Sequence, residues 1–154
     1  MKTILPAILI ALIAFSCGGN NHPLPENKKR IPLAGTWQLI SCTLIQQKDT
    51  VVTNYTQPIS FIKIINNSHF AFLQHDIAKG KDSGAVFVAG GGKYTLKDSV
   101  YTEHLEYCSD RNWEGNDFTF IVTIHQDTLI QKGIEKVANT GVNRMNIEKY
   151  VRIQ

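Results

Sequence analysis

The segment VYTEHLEYC, Val100 to Cys108, places a carboxylate among aromatic side chains. On an extended strand, alternate residues share a face. Tyr101, Glu103, Leu105 and Tyr107 therefore lie together, opposite Thr102, His104, Glu106 and Cys108. The first set is the more apolar, which turns it toward a core and takes Glu103 with it. A carboxylate buried alone is costly. Glu103 thus needs a hydrogen-bonding partner, an upward-shifted pKa or a ligand. Tyr94 and Tyr107 are tyrosine hydroxyls of the kind that would serve as partners. Glu103 and its tyrosines have the make-up for acid–base chemistry on a bound molecule, and equally for orienting one by hydrogen bonds.

Other chemistries find little support. His69 and His75 share a face with Ala71 and Leu73, His104 shares one with Glu106, His125 sits at a turn and His22 precedes the domain. No pair has a ligand spacing such as H-E-x-x-H, so they read as exposed histidines and no metal site is expected. There is no G-x-S-x-G elbow, and no cysteine sits in a nucleophile pattern. Three consecutive glycines, Gly90, Gly91 and Gly92, raise the possibility of a phosphate loop. That loop would read G-x-x-x-x-G-K-S/T and open a helix. Here Lys93 is followed by Tyr94, Thr95 and Leu96, which continue a strand. The glycines instead mark a kink or bulge, where missing Cβ atoms let a strand coil round a corner. No cofactor is called for.

The elements that must hold these residues are strands. Apolar and polar residues alternate almost throughout, and helical spacing is sustained nowhere in the domain. Strands are expected at about 34–46, 50–55, 59–66, 68–76, 84–96, 99–109, 116–126, 127–135 and 146–153, separated by turn residues. Phe70, Phe72 and Gln74 form one face of their strand. Phe118, Phe120, Val122 and Ile124 form the apolar face of theirs, and Tyr94 points inward opposite Lys93. The segment from Glu135 to Asn146 reads as a long polar loop, a lid over a mouth or a surface excursion. The predicted fold is all-β: a closed antiparallel up-and-down barrel of eight to ten strands, with little or no helix outside the leader. Its predicted interior has aromatic walls and a few polar groups, the make-up of a small-molecule pocket. A filled core of the same residues is the alternative.

The chain begins MKTILPAILIALIAFSC, with a 12-residue apolar run from Ile4 to Phe15. A membrane-spanning helix needs about 20 residues, so residues 1–16 read as a secretory signal peptide. Cys17 directly after Ser16 resembles the lipobox of bacterial lipoproteins. That resemblance implies cleavage before Cys17, a lipid on Cys17 and a membrane anchor. A plain secretory signal with a cysteine nearby is the alternative. Residues 17–32 read as the lipidated cysteine and a flexible tether, with Lys28, Lys29 and Arg30 solvated within it; contact with anionic lipid headgroups is the alternative. Residues 33–154 form one domain. Without Lys2 the chain has 15 basic and 13 acidic side chains and no basic stripe, which gives no electrostatic case for nucleic acid. Cys42 and Cys108 are compatible with a disulfide or with two free thiols.

LAGTWQLIS, Leu33 to Ser41, carries a second resemblance. Its Gly35-Thr36-Trp37 is similar to the first-strand G-x-W of lipocalins and their calycin relatives. The resemblance implies that Trp37 closes one end of the barrel under an arginine from a late strand, here Arg152. With SHFAFLQHD, GGGKYTLKDSVYTEHLEY and FTFIVTIHQDTLIQKG, the chain resembles lipocalin-like domains of small, mostly uncharacterised bacterial exported proteins. That implies a fold more firmly than a function. The functional expectation is a lipid-anchored protein of the bacterial cell envelope, periplasmic or surface-facing, that binds a small hydrophobic or amphipathic molecule. Phe70, Phe72, Gln74, Tyr94, Tyr101, Glu103, Tyr107, Phe118 and Phe120 would line its site. The other readings are an interaction module with an envelope protein partner and a filled barrel, and an enzyme using Glu103 and tyrosines.

Overall fold

A computed structural model describes residues 31–153. The leader, Cys17 and all of the tether before Ile31 lie outside them. Nine strands follow in chain order: β1 (Gly35–Gln46), β2 (Asp49–Asn54), β3 (Ile59–Ile65), β4 (His69–Asp76), β5 (Phe87–Lys97), β6 (Val100–Cys108), β7 (Asp117–His125), β8 (Thr128–Val137) and β9 (Val142–Ile153). The one helical element among the described residues is a 3-10 turn, Arg111–Trp113. Each strand from β3 to β9 pairs antiparallel with the next, and β9 returns to pair with β1. The first half of β1 pairs with β3 and its second half with β2. The result is a closed antiparallel ring of eight strands, with β2 added outside it.

The expected alternation holds where strands are regular. Phe118, Phe120 and Val122 of β7 are buried, and so is Phe70 of β4. It fails at two bulges. Gly91 and Gly92 are consecutive on β5, yet they face Tyr107 and Leu105 on β6, so Glu106 is the extra residue. The glycines therefore do sit at a bulge, but the inserted residue belongs to the partner strand. Facing reverses beyond it: Leu105 is buried, Tyr107 is 68% exposed and Cys108 turns back toward the lumen. The expected inward placement of Tyr107 is thus corrected. A second shift on β1, at Ile40, likewise moves the lumenal parity from Trp37 and Leu39 to Cys42 and Leu44.

All three glycines lie at close approaches. A Cβ on Gly90 would strike the Phe72 ring, one on Gly91 the Phe70 carbonyl, and one on Gly92 the His104 carbonyl. The expected loop from Glu135 to Asn146 is also corrected: β8 and β9 run through it and leave a short turn between Val137 and Val142. Of the polar residues that resembled a loop, Glu135, Arg144 and Asn146 are lumenal side chains of the hairpin.

One end of the barrel is packed shut. Trp37 is 0% exposed, and its indole Nε1 donates to the Leu33 carbonyl at 2.9 Å. The Arg152 guanidinium lies 4.0 Å from the Trp37 ring centre and donates to the carbonyls of Ala34 and Pro32. A Cβ on Gly35 would run into that guanidinium, which explains the glycine two residues before the tryptophan. Pro32 is held by Arg152 and Ile31 packs against the core, so the packed chain starts slightly before Leu33. Because the indole fills this end, Trp37→Ala is expected to cost about 3–5 kcal/mol. Urea unfolding measures the loss, and an unchanged midpoint would contradict the closing role.

Candidate functional site

The other end opens into a cavity of about 350 Å³, within the size range of small-molecule sites. Two aromatic walls bound it. Phe61 and Phe72 stack with centroids 5.8 Å apart, with Tyr55 edge-on to Phe61. Trp113 and Phe118 lie 5.6 Å apart on the other wall. The 3-10 turn that carries Trp113 is fixed by Asp110, whose side chain accepts from the Asn112 N–H.

The floor is charged. Lys63, projected inward by β3, is 3% exposed, and its Nζ lies 2.6 Å from Glu103 Oε1. The same ammonium donates to Gln131 Oε1 of β8 at 3.2 Å. Rings of Tyr150, Phe70 and Tyr101 surround it with centroids 5.5, 5.7 and 6.0 Å away. Glu103 does face the interior, but its partner is a lysine and not a tyrosine. Burial works to lower the Lys63 pKa, and the charges of Glu103 and Glu148 more than reverse this, holding it above its ordinary value. The lysine therefore remains a charged ammonium, unsuited to attack as a free amine.

A second polar group sits nearer the mouth. Arg144 Nε donates to Glu135 Oε2 at 2.8 Å, and Asn146 Nδ2 donates to Glu135 Oε1 at 2.7 Å. Cys42 Sγ lies 3.2 Å from Asn146 Oδ1. Tyr150 donates its hydroxyl to Glu148 Oε2 at 2.8 Å. Arg144 also packs over Trp113, 5.5 Å from the ring centre. Burial and then the Glu148 charge raise the Glu135 pKa. Burial, Glu148 and Glu135 push the Cys42 thiol up to about 12. Among the described residues, Cys42 and Cys108 form no disulfide.

The cavity brings together Phe72, Gln74, Glu103, Phe118 and Phe120 of the expected site. Phe70 and Tyr101 are buried around Lys63 below it. Burial and the nearby Glu103 charge raise the pKa of the Tyr101 hydroxyl, which finds no hydrogen-bond partner among the described residues. Tyr94 donates to the Asn66 carbonyl toward the closed end, and Tyr107 is on the outside. Tyr94 there lines a wider depression of about 1270 Å³ that borders Ile31, where the described chain begins. The smaller cavity, with the buried Lys63–Glu103 pair and the Arg144–Glu135 pair in its lining, is the better candidate. His104 pairs with Asp117 on the outer face at 2.8 Å. No group of three metal-ligating side chains occurs among the described residues.

Lys63, Gln131, Glu135, Arg144, Asn146 and Glu148 were missing from the expected site. Phe61 and Ile65 share the parity of Lys63, and a buried Glu103 demands a cation; together these were the available signals. Of the other five, Glu135, Arg144 and Asn146 lie in the segment that reads as a loop, and Gln131 and Glu148 lie on expected strands where a polar inward side chain gives no contrast.

Residues 32–154 match the family described as a domain of unknown function, DUF4488. Among solved structures, an uncharacterized protein from Bacteroides eggerthii DSM 20697 is similar, with 17% identity and a TM-score of 0.42 over 76% of this chain and 98% of that chain. No curated protein matches the chain.

The buried pair sets a first expectation. Lys63→Met strands the Glu103 charge and should cost about 3–5 kcal/mol in urea unfolding. The double variant Lys63→Met/Glu103→Leu, with no stranded charge, should recover most of that loss. A double variant as unstable as the single one would show that the pair is not the source of the cost. The thiol sets a second. With a pKa of about 12, Cys42 has a thiolate fraction of roughly 10⁻⁴ at pH 8, since the thiolate is the reactive form. In a chain carrying Cys17→Ser and Cys108→Ser, Ellman's reagent at pH 8 should label Cys42 only after unfolding. Rapid labelling of the folded chain would contradict the burial and the neighbouring carboxylates that hold the thiol up.

Proposed function

Starting from a chain that belongs to the DUF4488 family, we propose that this protein is anchored by lipid on Cys17 to a bacterial envelope membrane. We further propose that it holds a small, partly apolar molecule in its barrel. The observation that carries the reading is the open cavity, with facing aromatic walls and a polar floor. Apolar walls supply binding through burial, and a few fixed polar groups set orientation. An open lumen of this size supports a binding role over an inert, filled scaffold. Glu103 is committed to Lys63 at 2.6 Å, and Lys63 stays a charged ammonium. That arrangement favours holding a ligand over acid–base turnover. The anchor rests on the apolar run that ends at Ser16-Cys17.

Two measurements test the two halves. Native mass spectrometry of protein purified from its own host should show a non-covalent adduct that denaturation releases. A bare chain mass under gentle conditions would count against the binding role. Cys17→Ser should move the protein out of the membrane fraction, and unchanged fractionation would remove the anchor.

A further inference from the structure

Four carboxylates line the cavity, those of Glu103, Asp110, Glu135 and Glu148, against two cations, Lys63 and Arg144. Each cation is already taken: Lys63 by Glu103 and Arg144 by Glu135. Asp110 sits at the rim and caps the 3-10 turn. Glu148 is the remaining one. One of its oxygens accepts the Tyr150 hydroxyl, and no ion pair involves it among the described residues. It is half-buried, and its two register partners are the lumenal Cys42 and Gln131. The excess is local, because residues 33–154 as a whole carry 12 basic and 12 acidic side chains. Its charge reaches through the lumen: it opposes ionisation of Cys42, Glu103, Glu135 and Tyr150 and favours the ammonium of Lys63.

An occupant of the cavity must deal with this carboxylate. A purely apolar molecule would strip water from Glu148 and return no hydrogen bond. An anion would add a like charge at short range in a low-dielectric lumen. A cation returns both the hydrogen bond and the charge, and charge-assisted hydrogen bonds are the stronger kind. The rings of Phe61, Phe72 and Phe118 stand ready for its apolar part. We infer that the ligand class is an amphipathic amine: a cationic ammonium or amidinium head on Glu148, with an apolar body between the aromatic walls. This deepens the proposal that the cavity is a small-molecule site and rests on it.

A matched series separates the two claims. Octylamine, octanol and octanoate share one chain and differ only in the head, and an alkylammonium stays charged at pH 7 as lysine does. The probes are titrated calorimetrically at pH 7 into the Cys17→Ser chain, purified without detergent. Octylamine should bind at least about tenfold more tightly than octanol, as expected for one charge-assisted hydrogen bond, with octanoate weakest. Glu148→Gln, which keeps an acceptor for Tyr150, should bring the amine-to-alcohol ratio close to one, with the thermal melt confirming the fold. Equal binding of the three probes, or an amine preference that survives Glu148→Gln, would overturn the ligand class while leaving the cavity a binding site. Failure of all three to bind a folded chain would overturn the cavity reading and this inference with it.

Discussion

An ammonium and a carboxylate sit 2.6 Å apart inside a barrel otherwise packed with rings. Removing two charges from water costs several kcal/mol each, and only mutual attraction with good geometry offsets it. That requirement constrains the strands around the pair. Lys63 is on β3, Glu103 on β6 and Gln131 on β8, three strands spread round the ring. Their side chains meet in the lumen and brace it from three directions. Below them the barrel is solid, with Trp37, Leu39, Ile65, Val122 and Leu129 buried. Above them it is open. The pair is thus the floor of the cavity as well as a tie across the ring.

The closed end depends on a different kind of fit. Arg152 meets Trp37 face-on because residue 35 has no side chain to intervene. Its two donated hydrogen bonds draw the incoming chain at Pro32 and Ala34 over the same end. One arginine therefore covers the indole and fixes the point where the chain joins the barrel.

The sequence made the fold legible wherever the lumen is apolar. Phe118, Phe120, Val122 and Ile124 recur at every second position of β7, with Thr119 and Thr123 among the residues between them, and both the strand and its facing follow from that period. G-x-W marked the closed end, and Arg152 was found by its position. The candidate site was legible only in part, for physical reasons. In β3 the run ISFIKII is apolar on both faces, so alternation alone does not single out Lys63 as lumenal; the demand of a buried Glu103 for a cation is needed as well. On β8 and β9 the inward residues Glu135, Arg144 and Asn146 are polar. A polar lumen erases the contrast that periodicity detects, and the hairpin reads as a loop. Tyr107 was lost differently. One inserted residue at Glu106 reverses every later side chain on its strand, and the glycines that announced a bulge do not say which strand carries the extra residue.

Closing a sheet into a ring removes its edges, and with them the exposed backbone donors and acceptors that recruit other chains. The β2 extension restores one such edge. It has six residues and pairs only with β1, while Val51 and Val52 are 57% and 67% exposed. Among the described strands, β2 is therefore the one whose open edge could accept another strand with least hindrance. Its shortness and the charged Lys48 and Asp49 at its tip are what restrain it. A second copy adding a strand to this sheet would find its template at β2.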